Sequence, residues 1–434
     1  MRLFSTAALS LALVATAGLA LPAHAAKKDE KKEEAQSEGA KLTLSPAYGK
    51  AINPAQNALK ANNFAEAKPL IDAAAATVTS PDDDYHYGLV LLQYSVGSQD
   101  KATQKAALER LVKNDRTPVN DRASYEQVLG QTYLIEDRNF AAAQQALQAA
   151  IDHGVVNAAT FYQLAEAKFG QAVENSGGAT INEANKPLAL AGLADLQRAT
   201  EIPMPDGSAT PVSFFDRGFK IARAASPETM LSWGNRLLKA APTRENWKLV
   251  LLTVYDAHRD ITRAESLDLF RLMLTTNAMS DAGDYNAYAE VAWKLGLPGE
   301  VKDLYDAGKT RGVITDSDLS ELYKLASDGI AKDRSSLTSS VTAATNATDG
   351  KSVAATANAF IGYNDYAKAV ELFRTAQAKG GAEPNEVATR LGIALARSGD
   401  NAGALAAFET VKGPGVRRDI ADLWQIWLNN PTAS

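Results

Sequence analysis

The sequence contains no cysteine among its 434 residues. This absence excludes disulfide bonds, thiolate metal sites and a cysteine nucleophile, each of which needs the sulfur atom of that side chain. Small secreted domains commonly rely on disulfides for stability. A chain that has none must be held together by the packing of its apolar side chains, and an oxidising compartment leaves it unchanged.

Aromatic side chains are few, and the chain has no excess of positive charge. Phe, Trp and Tyr make up 7% of the residues although hydrophobic residues make up 46%, and alanine supplies much of the difference. Because alanine is the best helix former, this composition favours helices. The 45 basic residues are outnumbered by 51 acidic ones, for a net charge of -6. Nucleic acid is therefore not expected as a partner, since such binding depends on neutralising phosphates.

Long apolar runs are missing except near the N-terminus, where the pattern is typical of a secretory signal. Arg2 precedes an apolar run over 9–21, and Ala23-His24-Ala25 has the small-x-small form of a cleavage site. The run is short for a membrane span. We therefore predict a signal peptide over 1–25, cleaved near Ala25, and a periplasmic mature chain without a membrane span; an uncleaved anchor is the alternative. The mixed-charge segment 26–46 is predicted to be a flexible leader.

No set of side chains forms a recognisable catalytic or metal site. The three histidines of the predicted mature chain, His86, His153 and His258, are far apart, and the motifs HExxH, GxSxG, GxGxxG and the Walker loop are absent. The acidic clusters at 82–84 and 316–318 precede predicted helices, where aspartate caps free N–H groups. The sequence thus predicts no metal, no cofactor, no catalytic residue and no enzymatic activity.

From about residue 51 onward, the sequence has the periodicity of amphipathic helices. Apolar residues recur at intervals of three and four, and the pattern is interrupted at Asn, Asp, Gly and Pro. No segment alternates in the manner of a strand. Short helices separated by tight turns indicate helical hairpins stacked in series, which is an all-α fold.

Two consecutive units near the C-terminus repeat the same small and large residues. Ala369 and Phe373 of the first unit lie 35 residues before Ala404 and Phe408 of the second. The second unit also contains Leu391-Gly392 in its first helix and Gly399-Asp400 at its turn. These residues and this spacing resemble the tetratricopeptide repeat, whose period is about 34 residues.

The N-terminal half repeats the same theme. Asn63-Phe64 precedes Ala67, and Asn139-Phe140 precedes Ala143, at the offset that separates Tyr366 from Ala369. A unit between them is predicted to turn at 97–100, and a fourth unit begins at Asn157 and contains a glycine-rich insertion at 176–178. The resemblance implies a right-handed α-solenoid of tetratricopeptide-like hairpins, in which each hairpin covers the apolar face of its neighbour.

Three helical segments are expected: an N-terminal array over 47–202, an atypical helical-hairpin segment over 210–346 and C-terminal repeats with a capping helix over 350–430. A loop at 202–207 separates the first two. Prolines and other helix-start signals place the middle helices at 214–225, 227–240, 244–257, 263–276, 284–295, 298–309 and 318–331. The serine- and threonine-rich run 335–348 is predicted as a further helix, with a linker as the alternative.

The resemblance implies a scaffold that holds protein or peptide partners, and the export signal points to a role such as cell-envelope assembly. One alternative is an envelope enzyme with its site in the middle segment. Another is a peptide or sugar receptor that uses Trp233, Trp247 and Trp293 of that segment. The sequence does not settle the oligomeric state.

In this family the first (A) helix of each hairpin faces the concave side of the solenoid. The resemblance therefore implies partner contacts at the non-packing positions of these helices, which are Gln127, Gln131, Tyr162, Glu166, Thr389, Ile393 and Arg397. An ordinary solvated face is the alternative. The last helix is predicted to cover the final apolar face and to show water a polar back, with an apolar stripe of Ile420, Leu423, Trp424, Trp427 and Leu428.

Overall fold

The computed structural model describes residues 42–175, 181–318 and 321–430, and this part of the chain contains twenty α-helices, one short 3-10 helix (Asp316–Asp318) and no strand. The helices are α1 (Pro46–Lys60), α2 (Phe64–Ala75), α3 (Pro81–Ser98), α4 (Lys101–Lys113), α5 (Val119–Ile135), α6 (Phe140–Asp152), α7 (Ala158–Asn175), α8 (Lys186–Glu201), α9 (Val212–Ala225), α10 (Pro227–Ala240), α11 (Arg244–Ala257), α12 (Arg263–Thr275), α13 (Ala282–Lys294), α14 (Pro298–Thr310), α15 (Glu321–Asn346), α16 (Lys351–Gly362), α17 (Tyr366–Lys379), α18 (Pro384–Ser398), α19 (Asn401–Glu409) and α20 (Val416–Asn429). The all-α prediction is confirmed.

The predicted signal peptide, its cleavage site and nearly all of the charged leader lie outside the described residues, as does the glycine-rich insertion at 176–178. Within the described ranges, none of the helices combines the length and apolar character needed to cross a membrane. The predicted middle helices are found within a few residues of their expected bounds. The serine- and threonine-rich run continues α15 as one helix of 26 residues.

Five hairpin turns share one backbone design, in which a left-handed residue is followed by an Asn or Asp that caps the next helix. The left-handed residues are Asn62, Gln99, Arg138, Asn364 and Gly399. The caps Asn63, Asp100, Asn139, Asp365 and Asp400 each accept a hydrogen bond from the backbone N–H three residues on. Such caps satisfy amide groups that the first helical turn leaves unbonded. The repeated turn sets the same reversal of direction in each hairpin.

Glycine is required where two helices of a hairpin approach most closely. A Cβ atom added to Gly392 in α18 would lie 2.5 Å from Cε1 of Phe408 in α19, closer than real atoms approach. The aromatic ring therefore occupies the space that a side chain at the glycine would need. Gly218 of α9 and Trp233 of α10 form the same pair. The repeat geometry thus extends into the segment that the sequence marked as atypical.

The inner row of helices changes along the chain. In the N-terminal array, contacts between helices two apart are made by odd-numbered helices, α1 with α3 and α5 with α7. From α14 onward the even-numbered helices also make such contacts, α14 with α16, α16 with α18 and α18 with α20. Closer spacing marks the inner side of a curved stack. The inner row thus passes from odd-numbered to even-numbered helices within the middle segment.

The last helix is not a simple cap. Ile420, Leu423 and Trp424 are buried as predicted, but α20 packs on α10 and α12 as well as on α18 and α19. Its Arg417 is also buried, so the face expected to be polar and solvated is partly covered. This face of α20 is covered because the C-terminal repeats curve back onto the middle helices. One hydrophobic core consequently runs from Ala158 to Ile426.

Candidate partner-binding surfaces

The inner face of α5, α7 and α9, called here the N-terminal groove, contains four of the predicted partner-binding residues. Gln127 of α5 donates a hydrogen bond from Nε2 to Oγ1 of Thr160 in α7, at 2.8 Å. Gln131, one turn further along α5, is half-buried and makes no hydrogen bond to another described residue. The helices that pack extensively on α5 and α7 are their neighbours in the array, so no distant segment of the described chain covers this face.

The other two residues link α7 to α9. Tyr162 stacks on Phe214 with ring centroids 4.1 Å apart. Glu166 accepts two hydrogen bonds from Arg217, at 2.8 and 3.0 Å. Burial, and then the charge of Glu166, raises the pKa of Tyr162 to about 12, so its hydroxyl stays neutral and able to donate. Three of the four groove residues therefore pack between helices while keeping part of their surface exposed, whereas the sequence placed them at non-packing positions.

The three residues predicted near the C-terminus are placed differently. Thr389 is fully buried and donates its hydroxyl to the carbonyl of Asn385, and Ile393 is buried beside it on α18. Arg397 is half-buried, donates to Oγ1 of Thr275 in α12 and lies over the ring of Tyr366. The expectation that these are open groove positions is wrong for Thr389 and Ile393. Residues of the chain's own α12 reach this helix, since Leu274 lines the same small cavity as Ile393 and Arg397.

A buried carboxylate holds α12 against α18. Every residue from 266 to 274 is buried, including Asp268, which is completely so. The carboxylate of Asp268 accepts hydrogen bonds from Arg271 of its own helix (3.0 Å), Arg390 of α18 (3.1 Å) and Arg417 of α20 (2.8 Å). Burial favours the neutral acid, but the three guanidinium groups outweigh it and lower the pKa of Asp268. Asp268 thus fastens three helices together.

A second ion pair extends this cluster to α13 and α14. Arg271 donates two hydrogen bonds to Glu300 of α14, at 2.8 and 2.7 Å, and Tyr288 of α13 donates to the same carboxylate at 2.5 Å. An adjoining cavity, lined in part by Arg271, Tyr288, Glu300 and Arg397, has a volume of about 20 Å³. That space suits a single water molecule and not a substrate. The geometry therefore supports a structural role for the cluster.

Sequence reasoning missed this cluster because its members are far apart in the chain. Arg390 and Arg417 follow Asp268 by 122 and 149 residues. One local signal was present: Asp268 and Arg271 lie three residues apart within the otherwise apolar run Leu267–Leu274. A charged pair at that spacing inside an apolar helix predicts a buried salt bridge with further partners.

The three histidines form separate contacts, each with a different partner. His86 bonds through Nδ1 to the hydroxyl of Tyr48 at 2.8 Å, and burial lowers its pKa. His153 pairs with Glu126, and His258 of the α11–α12 loop pairs with Asp419 of α20, both at 2.7 Å. In the ranges that the structure describes, no three His, Asp or Glu side chains are arranged to hold a metal ion. The His258 contact adds a further tie between α20 and the middle helices.

The tryptophans proposed for a receptor site separate into two groups. Trp233 and Trp247 are buried in the core. Trp293, at the end of α13, is partly exposed and lines a cleft of about 360 Å³ beside α15. Only Trp293 of the three can therefore meet a ligand in this structure.

Comparison with known proteins agrees with the repeat geometry at the C-terminal end. Residues 355–416 match the model of the tetratricopeptide repeat family. Among solved structures, the chain is similar to the tetratricopeptide repeat domain of P58(IPK), at 12% identity over 89% of this chain and 99% of that one, with a TM-score of 0.21. It is also similar to the APC/C hetero-tetramer Cut9–Hcn1, at 14% identity over 84% and 86% of the two chains, with the same TM-score of 0.21. No curated protein sequence matches the chain.

Proposed function

We propose that this chain is an exported, tetratricopeptide-like scaffold that holds partner proteins in the periplasm through its N-terminal groove. The observation that carries the proposal is the contrast between the two inner faces. The α18 face that carries Arg390 and Arg397 hydrogen-bonds to the distant helix α12, whereas no distant helix of the described chain packs extensively on α5 or α7. A binding surface must be open, so the N-terminal groove is the favoured one.

The chemistry of the groove suits an extended or helical protein segment. Gln131 offers an amide that bonds to no described side chain, Tyr162 offers a neutral hydroxyl on a stacked ring, and the Glu166–Arg217 pair offers both charges between α7 and α9. Their side chains are partly immobilised by helix packing, which lowers the entropy lost on binding. Amide, hydroxyl and paired charges satisfy the backbone groups and side chains of a peptide.

A double variant tests this groove without breaking the stack. Gln131→Ala with Tyr162→Phe removes the free amide and the hydroxyl but keeps the aromatic contact with Phe214. We expect recovery of partners from an envelope extract to fall about tenfold, the equivalent of 1.4 kcal/mol, because hydrogen bonds to the partner are lost. Quantitative mass spectrometry of co-purified proteins measures the change.

The matched control is Gln145→Ala with Gln148→Ala, which removes two exposed amides from the outer helix α6. It should leave recovery unchanged. Equal recovery with both double variants, at equal helicity and melting temperature, would reject the N-terminal groove as the binding surface.

Export is a separate part of the proposal, and the tripartite pattern over 1–25 supports it. We expect the native protein, isolated from a periplasmic extract, to begin at Lys27 or within a residue or two of it. Intact-mass measurement decides this, because each candidate start gives a different mass. A full-length chain that retains Met1 in the envelope fraction would contradict cleavage, and recovery from the cytoplasm alone would contradict export. A role in envelope assembly requires both results to hold.

A further inference from the structure

A cleft beside α15 combines apolar walls with an open mouth. The end of α13 and the turn into α14 supply Trp293, Gly296 and Pro298. The opposite wall is one side of α15, where Leu325, Gly329, Lys332 and Ser336 follow at intervals of four, three and four. That spacing places them on one stripe of the helix. The volume of about 360 Å³ falls within the range of ligand sites in proteins.

The apolar surface of this cleft is accessible. Leu325 is 50% exposed, and Leu295, next to the cleft wall, is 36% exposed. Gly329 keeps the floor open, since a Cβ atom there would meet nothing within 4 Å. Glycine inside a helix is destabilising, and no neighbouring atom requires it at this position. An apolar side chain that enters the cleft would remove this surface from water.

The charge at the rim indicates which partner fits. Asp333 accepts the hydroxyl of Tyr363 at 2.5 Å and keeps its negative charge, which the positive charge of Arg334 beside the same tyrosine offsets. Arg334 lies over the ring of the same tyrosine, 4.8 Å from its centroid. Lys332 is exposed and forms no ion pair with a described residue. A ligand with an anionic group beside an apolar one would therefore match the cleft, because Lys332 would meet the anion and the apolar walls would meet the rest.

We propose that this cleft binds an acidic, leucine-bearing segment of a partner protein. A leucine side chain enters between Trp293 and Leu325, and a carboxylate close to it pairs with Lys332. A sugar is the poorer fit, because the walls are mostly apolar and offer few polar groups to its hydroxyls. The inference rests on the proposed scaffold function and gives it a second contact, distinct from the N-terminal groove.

The test uses the full mature chain labelled with nitrogen-15 in its tryptophans. The indole signal of Trp293 is identified by its loss in Trp293→Phe. Three probes are titrated: the capped peptide LDELLEDL, the capped peptide LKKLLKKL and cellotriose. We expect the acidic peptide to shift the Trp293 signal and to bind about tenfold more tightly than the basic one. The variant Lys332→Glu should reverse this preference.

A variant that blocks the cleft sterically gives the decisive test. Gly329→Leu places a bulky side chain in the open floor, where a Cβ atom meets nothing within 4 Å, and should weaken the acidic peptide about tenfold, whereas Gly329→Ala should leave its affinity within about twofold. Peptide binding that survives Gly329→Leu, a shift caused by cellotriose alone, or no shift with any probe overturns the proposal. Gln131→Ala with Tyr162→Phe should leave peptide binding intact, so failure of this cleft is distinguishable from failure of the N-terminal groove.

Discussion

At the scale of single residues, the hairpins depend on pairs of a glycine and a large side chain. Phe408 is fully buried against Gly392, and Trp233 is buried against Gly218. Each ring fills the space where a side chain would otherwise stand, so the two helices approach closely and water is excluded. Interiors packed to this density respond to the addition of even one carbon.

Gly392→Ala should therefore destabilise the C-terminal repeats although alanine is the better helix former. We expect a loss of about 1–3 kcal/mol, because the ring of Phe408 must move out of a well-packed position. Gly329→Ala is the matched control: its Cβ atom meets open space, so we expect a gain of roughly 0.5–1 kcal/mol. Urea denaturation followed by circular dichroism measures both. A stabilising Gly392→Ala would show that the close approach is not required.

At the scale of elements, α12 is the unusual helix. It is apolar on nearly all sides, yet it carries Asp268 and Arg271, whose partners lie on α14, α18 and α20. Because the pKa of Asp268 is lowered, the stability it contributes is fully present above the pKa of an unfolded aspartate, about 3.9. That stability is lost as the pH falls through the lower, folded value.

Asp268→Asn keeps the size of the side chain but removes the charge that three guanidinium groups share. Breaking a buried ion pair in this way costs about 3–5 kcal/mol, and we expect this variant to lose a comparable amount. Hydrogen exchange should accelerate first in α18 and α20, with α1 to α4 unchanged. The exposed substitution Asp152→Asn on α6 is the control. Unchanged exchange in α20 would mean that apolar packing alone fastens it.

At the scale of the whole array, the N-terminal and C-terminal halves behave differently. The N-terminal hairpins contact mainly their neighbours in sequence, as repeats do. The C-terminal half instead returns on itself, since α20 packs on α10 and α12 and its Asp419 bonds to His258 across 161 residues. The last helix therefore joins the two ends of a closed set of helices.

Deleting residues 416–434 should expose apolar faces of α10, α12, α18 and α19 at once. We expect the truncated protein to aggregate or to form oligomers, measured by light scattering after size-exclusion chromatography, because such a large exposed apolar surface drives association. Deleting 431–434 alone is the control and should leave a particle of unchanged size. A monomeric truncation product with an unchanged melting temperature would show that α20 is dispensable.

The local order of this protein was readable from its sequence. Periodicity, proline and glycine positions and Asn or Asp caps act over a few residues, and they placed the helices and turns of both arrays. The pairing of Gly392 with Phe408 was readable for the same reason, because both residues belong to one hairpin. The partner-binding character of the N-terminal groove residues remains a prediction that the fold permits but does not by itself test.

Only the tertiary structure shows which distant helix contacts α18. The sequence around Thr389 and Ile393 resembles that of an A helix with an open face, and no nearby residue signals that both side chains will be buried. The contact depends on how curvature accumulates over several hairpins, which brings Asp268 to Arg390 and Arg417 across more than a hundred residues. A periodic pattern reports which face of a helix is apolar. It does not report which distant helix that face will contact. The relative position of two distant helices depends on the small rotations of all the hairpins that separate them.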